Sequence, residues 1–183
     1  KRRFPSILVI ELQERSSAAT FCQNLENEQS EIQRFDCFLV DKNGIVFEKE
    51  NFENINEPKE RGLIVKLQAG SINFVLGKKI IQENMLGLIL KINDELEANL
   101  KIPIREFIFQ NKSPEVIENG DRLNIKTQEG WDVYFDLKND IDWQLLKLSL
   151  VLEKEIPQEK RGGLEYIDLR IGNFAPYKYR TQE

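Results

Sequence analysis

The stretch FLVDKNGIVFE at residues 38–48 constrains the fold more than any other part of the chain. Two apolar runs flank Asp41-Lys42-Asn43-Gly44. Asn-Gly supplies the positive φ values that a tight reversal between antiparallel strands needs. The chain therefore commits to a hairpin, and its core has to be built around a sheet. Asp-x-Asn also opens a calcium-binding loop, but the later ligands at that loop's spacing are missing, so the segment reads as a turn.

Strand-like runs recur on both sides of this hairpin. ILVIELQ at residues 7–13 follows Pro5 and Ser6, and LIVKLQ lies at residues 63–68. IREFIF (104–109) and RLNIKT (122–127) alternate with the period of two expected of half-buried strands. In WDVYFDL (131–137), Trp131, Val133 and Phe135 share one face and Asp132, Tyr134 and Asp136 the other. Residues 16–31 are polar and read as a crossing loop, and 48–62, with Pro58, as a longer one. Two helices interrupt the strands. Ile81, Met85, Leu88, Ile89, Ile92 and Leu96 recur at a period of 3.6 and predict a helix over 78–100, ending before Pro103. Leu145, Leu148 and Leu152 form the inner stripe of a second helix, capped by Asp140 or Asp142 and closed by Pro157. KRGG (160–163) then turns into a final strand, YIDLRI (166–171). The expected class is α+β, a largely antiparallel mixed sheet carrying two helices on one side.

Composition narrows function more than fold. The 183 residues suit one medium domain that can bury a core without metals. A net charge of −5 with both signs interspersed argues against nucleic-acid binding, which needs clustered Lys and Arg. No apolar run approaches the roughly 18 residues of a membrane span. Histidine is absent altogether. That removes the commonest general base and metal ligand, and with it every Ser-His or Cys-His nucleophile. Lys147 and Ser149 stand two apart on a helix and point in different directions, so they make no nucleophile pair. Asp132, Asp136 and Asp140 read as a solvated face rather than a glycosidase pair or metal site, and Trp131 and Trp143 as core. The expectation is no catalysis, no cofactor and no metal.

Cys22 and Cys37 each lie in a strand-like segment, ATFC and CFLV. If these strands are neighbours, the thiols can face one another and form a bridge. Such a bridge closes a loop of about 16 residues and contributes roughly 3 kcal/mol in the chain-entropy account. It would also imply an oxidising, extracytoplasmic compartment. In a reducing cell the same residues would be two small buried hydrophobes. The expectation is the bridge.

YIDLRIGNFAPYKY at residues 166–179 sets an acid and a base before an aromatic run. Strand alternation puts Tyr166, Asp168 and Arg170 on one face and Ile167, Leu169 and Ile171 on the core face. Asp168 and Arg170 are then structural, pairing across strands to fix register. Beyond Ile171 no further strand is expected. A last strand in an open sheet exposes unpaired N–H and C=O groups that can accept an added strand. Pro176 removes one donor and limits uncontrolled pairing. Phe174, Tyr177 and Tyr179 offer aromatic anchors of the kind enriched at interfaces.

At these residues the chain resembles the extracytoplasmic part of the FtsQ/DivIB family of bacterial cell-division proteins. RRFPSILVIELQER (2–15) looks like the end of the family's POTRA domain, FLVDKNGIVFE like the hairpin opening its β domain, and YIDLRIGN (166–173) like the motif near that domain's end. The helix over 142–155 sits where the family has one. Ile171 stands where a second tyrosine can occur, and residues 48–62 have no counterpart.

The resemblance implies residues 1–20 as the end of a POTRA domain and 21–181 as the β domain, with a single membrane helix upstream of Lys1 and this region on the extracytoplasmic side. It implies a non-catalytic divisome scaffold that docks FtsB/DivIC-type and FtsL-type bitopic proteins. The docking residues it points to are Ile171, Asn173, Phe174, Ala175, Tyr177 and Tyr179. Arg122, which opens a strand in the same sheet, is added on charge and position. Two other readings share some of these features. A POTRA-type chaperone module of an assembly machine would need further POTRA repeats, and a cell-wall hydrolase or carbohydrate-binding domain would need carboxylates about 5–9.5 Å apart in a cleft.

Overall fold

The computed structural model describes residues 14–25, 34–50, 63–68, 73–110, 117 and 122–181. The strand expected over 7–13, most of the motif over 2–15 and most of the loop over 48–62 lie outside them.

Among the described residues nine strands form one sheet: β1 Ala19–Leu25, β2 Arg34–Val40, β3 Val46–Glu50, β4 Ile64–Gln68, β5 Ile104–Gln110, β6 Arg122–Thr127, β7 Asp132–Phe135, β8 Leu164–Asp168 and β9 Tyr177–Tyr179. Helix α1, Glu83–Asp94, falls between β4 and β5, and α2, Ile141–Lys154, between β7 and β8. The strand order is β3-β2-β1-β4-β5-β6-β7-β8-β9. β1 with β4, β4 with β5 and β7 with β8 are parallel, and the other neighbours are antiparallel. Each helix returns the chain between two adjacent parallel strands, the usual crossover for such a pair. An ion pair from Lys91 of α1 to Asp142 of α2 places the helices side by side on the same face. This is the expected α+β architecture with a largely antiparallel mixed sheet.

The hairpin forms where its sequence dictates, with the positive φ confined to Gly44. Asp41 Oδ1 accepts from the backbone N–H of Asn43 and of Ile45, and Gly44 takes φ +78°. Trp131, Val133 and Phe135 are fully buried, while Asp132, Tyr134 and Asp136 are half-buried on the opposite face. Leu145, Leu148 and Leu152 turn inward from α2. Of the two candidate caps, Asp140 serves, its carboxylate accepting from the Trp143 N–H at 3.1 Å.

Four expectations are corrected. The strand-like ATFC does form a strand, but β1 runs on to Leu25, into the polar stretch read as a loop, held between β2 and β4 by ladder bonds that do not depend on side-chain polarity. The first helix begins at Glu83, not 78, because 79 and 81 form isolated β-bridges with Ile45 and Ile117. Its end is a π-helical turn, Glu95–Asn99. Trp143 is 42% exposed on the outer face of α2, outside the core. A ninth strand follows the YIDLRI segment, whose own strand stops at Asp168.

Cys22 and Cys37 lie opposite one another in the β1–β2 ladder, with Cα atoms 4.1 Å apart, and form a disulfide.

Candidate functional site

β9 ends the sheet. It pairs with β8 on one side, and among the described residues no strand lies on the other. The Asp168 N–H donates to the Pro176 carbonyl at 2.8 Å, and the Arg180 N–H to the Gly163 carbonyl at 2.9 Å. Antiparallel ladders alternate the direction of successive backbone groups. Groups at 176, 178 and 180 therefore turn toward β8, and the N–H and C=O of Tyr177 and Tyr179 turn toward the open edge. That is the template an added strand requires.

The side chains around this edge are apolar and accessible. Phe174 is 73% exposed and Ile171 51%. Ile171 was expected on the core face. It lies beyond the end of β8, in the turn over 171–173, where strand alternation no longer applies. Asn173 is exposed, and Ala175 and Tyr177 are half-buried against the core. Tyr177 and Tyr179 share a face of β9, their rings 5.8 Å apart edge to face. Burial and the neighbouring Glu155 carboxylate push the Tyr177 phenol up. Lys178, on the other face, pairs with Glu165.

Asp168 and Arg170 sit at the base of this edge. The Arg170 guanidinium donates to both Asp168 carboxylate oxygens, at 2.8 and 2.6 Å, and the Arg170 N–H adds a third bond at 3.0 Å. Burial would raise the Asp168 pKa, but these bonds and the charges of Arg170 and Lys147 together hold it below the usual carboxylate value. The guanidinium also lies over the Tyr134 ring, 4.9 Å from its centre, which packs against Tyr166 at 5.5 Å. The pair is thus internal to one chain segment and does not cross strands. It stiffens the exit from β8 instead of fixing the register of neighbours.

Arg122 is exposed at the start of β6, three strands from β9. At the usual strand spacing that is about 14 Å away. It shares the sheet face and the sheet end of Asp136 and Arg170, so the structure separates it from the C-terminal edge while keeping it on an adjoining surface.

Lys147 went unrecognised as part of this region. Its ammonium donates to the carbonyls of Leu169 at 2.6 Å, Gly172 at 2.8 Å and Phe174 at 3.2 Å. Burial lowers its pKa, and the charge of Asp168 offsets part of that. Gln144, one turn earlier, is 2% exposed and bonds both the N–H and the carbonyl of Asp136. The sequence did carry a signal: 144, 147, 148 and 151 fall on one helical face, so a lysine lies within a buried stripe. A shallow depression of about 230 Å3, lined by Trp143, Gln144, Lys147, Arg170, Gly172 and Asn173 among others, separates α2 from the turn.

Among the described residues no cluster of three His, Cys, Asp or Glu is placed to hold a metal. No helix among them is long and apolar enough to cross a membrane.

Comparison with known families matches residues 29–170 to "Cell division protein FtsQ/DivIB, C-terminal". The match takes in β2 to β8 and both helices, and the segment carrying β9 follows it. A search among curated proteins finds no match. With well over half of its length matched, and with the hairpin, the α2 helix and the Asp-Leu-Arg segment in the order expected, the chain belongs to the FtsQ/DivIB family of cell-division proteins.

Proposed function

We propose that this protein is a non-catalytic scaffold of the division machinery that receives a β-strand from FtsB/DivIC-type and FtsL-type bitopic proteins along β9. The observation that carries the reading is the one-sided pairing of β9, with the backbone groups of Tyr177 and Tyr179 turned outward beside exposed aromatics. Strand addition takes affinity from main-chain bonds and specificity from side-chain contacts. Ile171, Asn173, Phe174, Ala175, Tyr177 and Tyr179 supply those contacts. Arg122, set back on the sheet face, meets an acidic residue of a partner that extends across the sheet.

Placement outside the cytoplasm agrees with the Cys22–Cys37 bridge, since disulfides persist in oxidising compartments. In this reading residues 1–20 close a POTRA domain, 21–181 form the β domain, and a single membrane helix precedes both.

The test is a titration with the extracytoplasmic segment of an FtsB/DivIC-type partner. Ala175→Pro, Tyr177→Ala and Tyr179→Ala are compared with wild type, with circular dichroism to confirm folding. Loss of a central aromatic anchor is expected to cost about 2 kcal/mol, roughly thirtyfold in affinity. If all three folded variants bind like wild type, the docking edge lies elsewhere.

A further inference from the structure

β9 is only three residues long, and its register on β8 shifts between Leu164 and Tyr166. A pairing of three residues has few ladder bonds with which to hold the segment. Some other contact has to hold the segment in one path if a partner is to read it. The 169–174 segment turns through Gly172 at φ +34°, and the Phe174 N–H closes the turn onto the Ile171 carbonyl. The carbonyls of Leu169, Gly172 and Phe174 converge at one point. Lys147, reaching from α2, stands there and is 6% exposed.

An ammonium has three N–H donors and no acceptor, and three carbonyls satisfy all of them. A lysine in a buried helix stripe carries a desolvation cost that a leucine or methionine would not. Packing alone does not explain it, whereas gathering three carbonyls of one turn does. The bonds join α2 to residues 22, 25 and 27 positions later, so they act on the tertiary path of the chain.

We propose that Lys147 is the positioning residue of the docking edge: by holding the carbonyls of 169, 172 and 174 it fixes the chain between β8 and β9, and so the strand that a partner reads. This inference rests on the docking role proposed for β9. Lys147 itself touches no partner. It acts through the turn it holds.

The experiment uses the whole chain and two variants, Lys147→Met and Lys147→Arg, with amide hydrogen exchange read by NMR alongside the partner titration. In the methionine variant, exchange at the Asp168 and Arg180 amides is expected to rise roughly tenfold or more, while amides of Ile125 and Val133 in the sheet centre change far less. Affinity for the partner strand is expected to fall by a similar factor, and arginine, which keeps the charge and several donors, to restore part of both. Unchanged edge exchange overturns the proposal. So does a rise that is uniform across the sheet, which would make Lys147 a general stabiliser, and so does faster edge exchange with unchanged affinity. If wild type binds no partner strand, the docking role fails on its own, and the exchange comparison still decides whether Lys147 holds β9. Should the methionine variant not fold, the wild-type chain decides. Ammonium protons of Lys147 visible in a 1H–15N spectrum at neutral pH support the clamp, and their rapid loss to solvent overturns it.

Discussion

Asp168 and Arg170 show what the residue scale contributes. Their pairing is charge-assisted and bidentate, the stronger end of protein hydrogen bonding. Because the folded state holds the Asp168 carboxyl below its ordinary value of about 3.9, the pair's stabilisation is fully present above that pH and is lost as pH falls through the depressed value. Asp168→Asn is therefore expected to lower stability at neutral pH by about 1–3 kcal/mol, since it leaves the half-buried guanidinium without its anion. It should also flatten the fall in stability below pH 4. Urea unfolding of both proteins from pH 7 down to pH 2 checks this, and parallel acid limbs would refute it. The sequence placed these two residues together on the outer face. Their closure on each other is local to residues 168–170, whereas the Tyr134 ring beneath Arg170 depended on β7 lying alongside β8.

At the scale of elements, the 38–48 hairpin does more than reverse the chain. Gly44 donates to Asp41 within the turn, and its carbonyl accepts from the Ile80 N–H, tying the hairpin to the segment that leads into α1. A side chain at 44 would be strained at φ +78° and would run into the Ile81 backbone carbonyl. Gly44→Ala is expected to cost at least about 2 kcal/mol, from the left-handed conformation and the displacement of residues 80–82. Thermal unfolding checks this, and a variant within half a kilocalorie of wild type would mean that the contact yields freely. The same contact explains the late start of α1. The 3.6 period of Ile81 and Met85 is genuine, but Ile81 forms a bridge to Ile117 and its carbonyl lies against Gly44, so the apolar stripe begins before the helix does, at Ile81 and not Glu83. Periodicity reports which side chains are buried, and a bridge residue can be buried as fully as a helical one.

Among the described residues, one continuous core spans β1 to β8 and both helices, from Ala19 and Phe21 at β1 to Leu164 and Ile167 at β8, with Tyr177 of β9 packed against it. The disulfide joins two neighbouring strands of that sheet, β1 and β2. Thiol titration of the unfolded, unreduced protein is expected to find no free thiol, and Cys22→Ala with Cys37→Ala to lower stability by roughly 3 kcal/mol. Two titratable thiols would contradict the bridge. A chelator is expected to leave the unfolding midpoint unchanged, and a loss of fold on chelation would reveal a metal that contributes to folding. What the sequence determined by itself was local: the Asn-Gly reversal, the alternation in WDVYFDL, the leucine stripe of α2 and the acid–base pair, each set by the conformational preferences of a few adjacent residues. What only the tertiary structure decided was everything that needs a distant partner. β1 is a strand because β2 and β4 flank it, β9 exists because β8 offers it a ladder, and Lys147 is buried because three carbonyls some two dozen residues later turn toward it. Hydrogen bonds between segments far apart in the chain leave no periodic trace in either segment, so the C-terminal edge was legible in its aromatics and not in its shape.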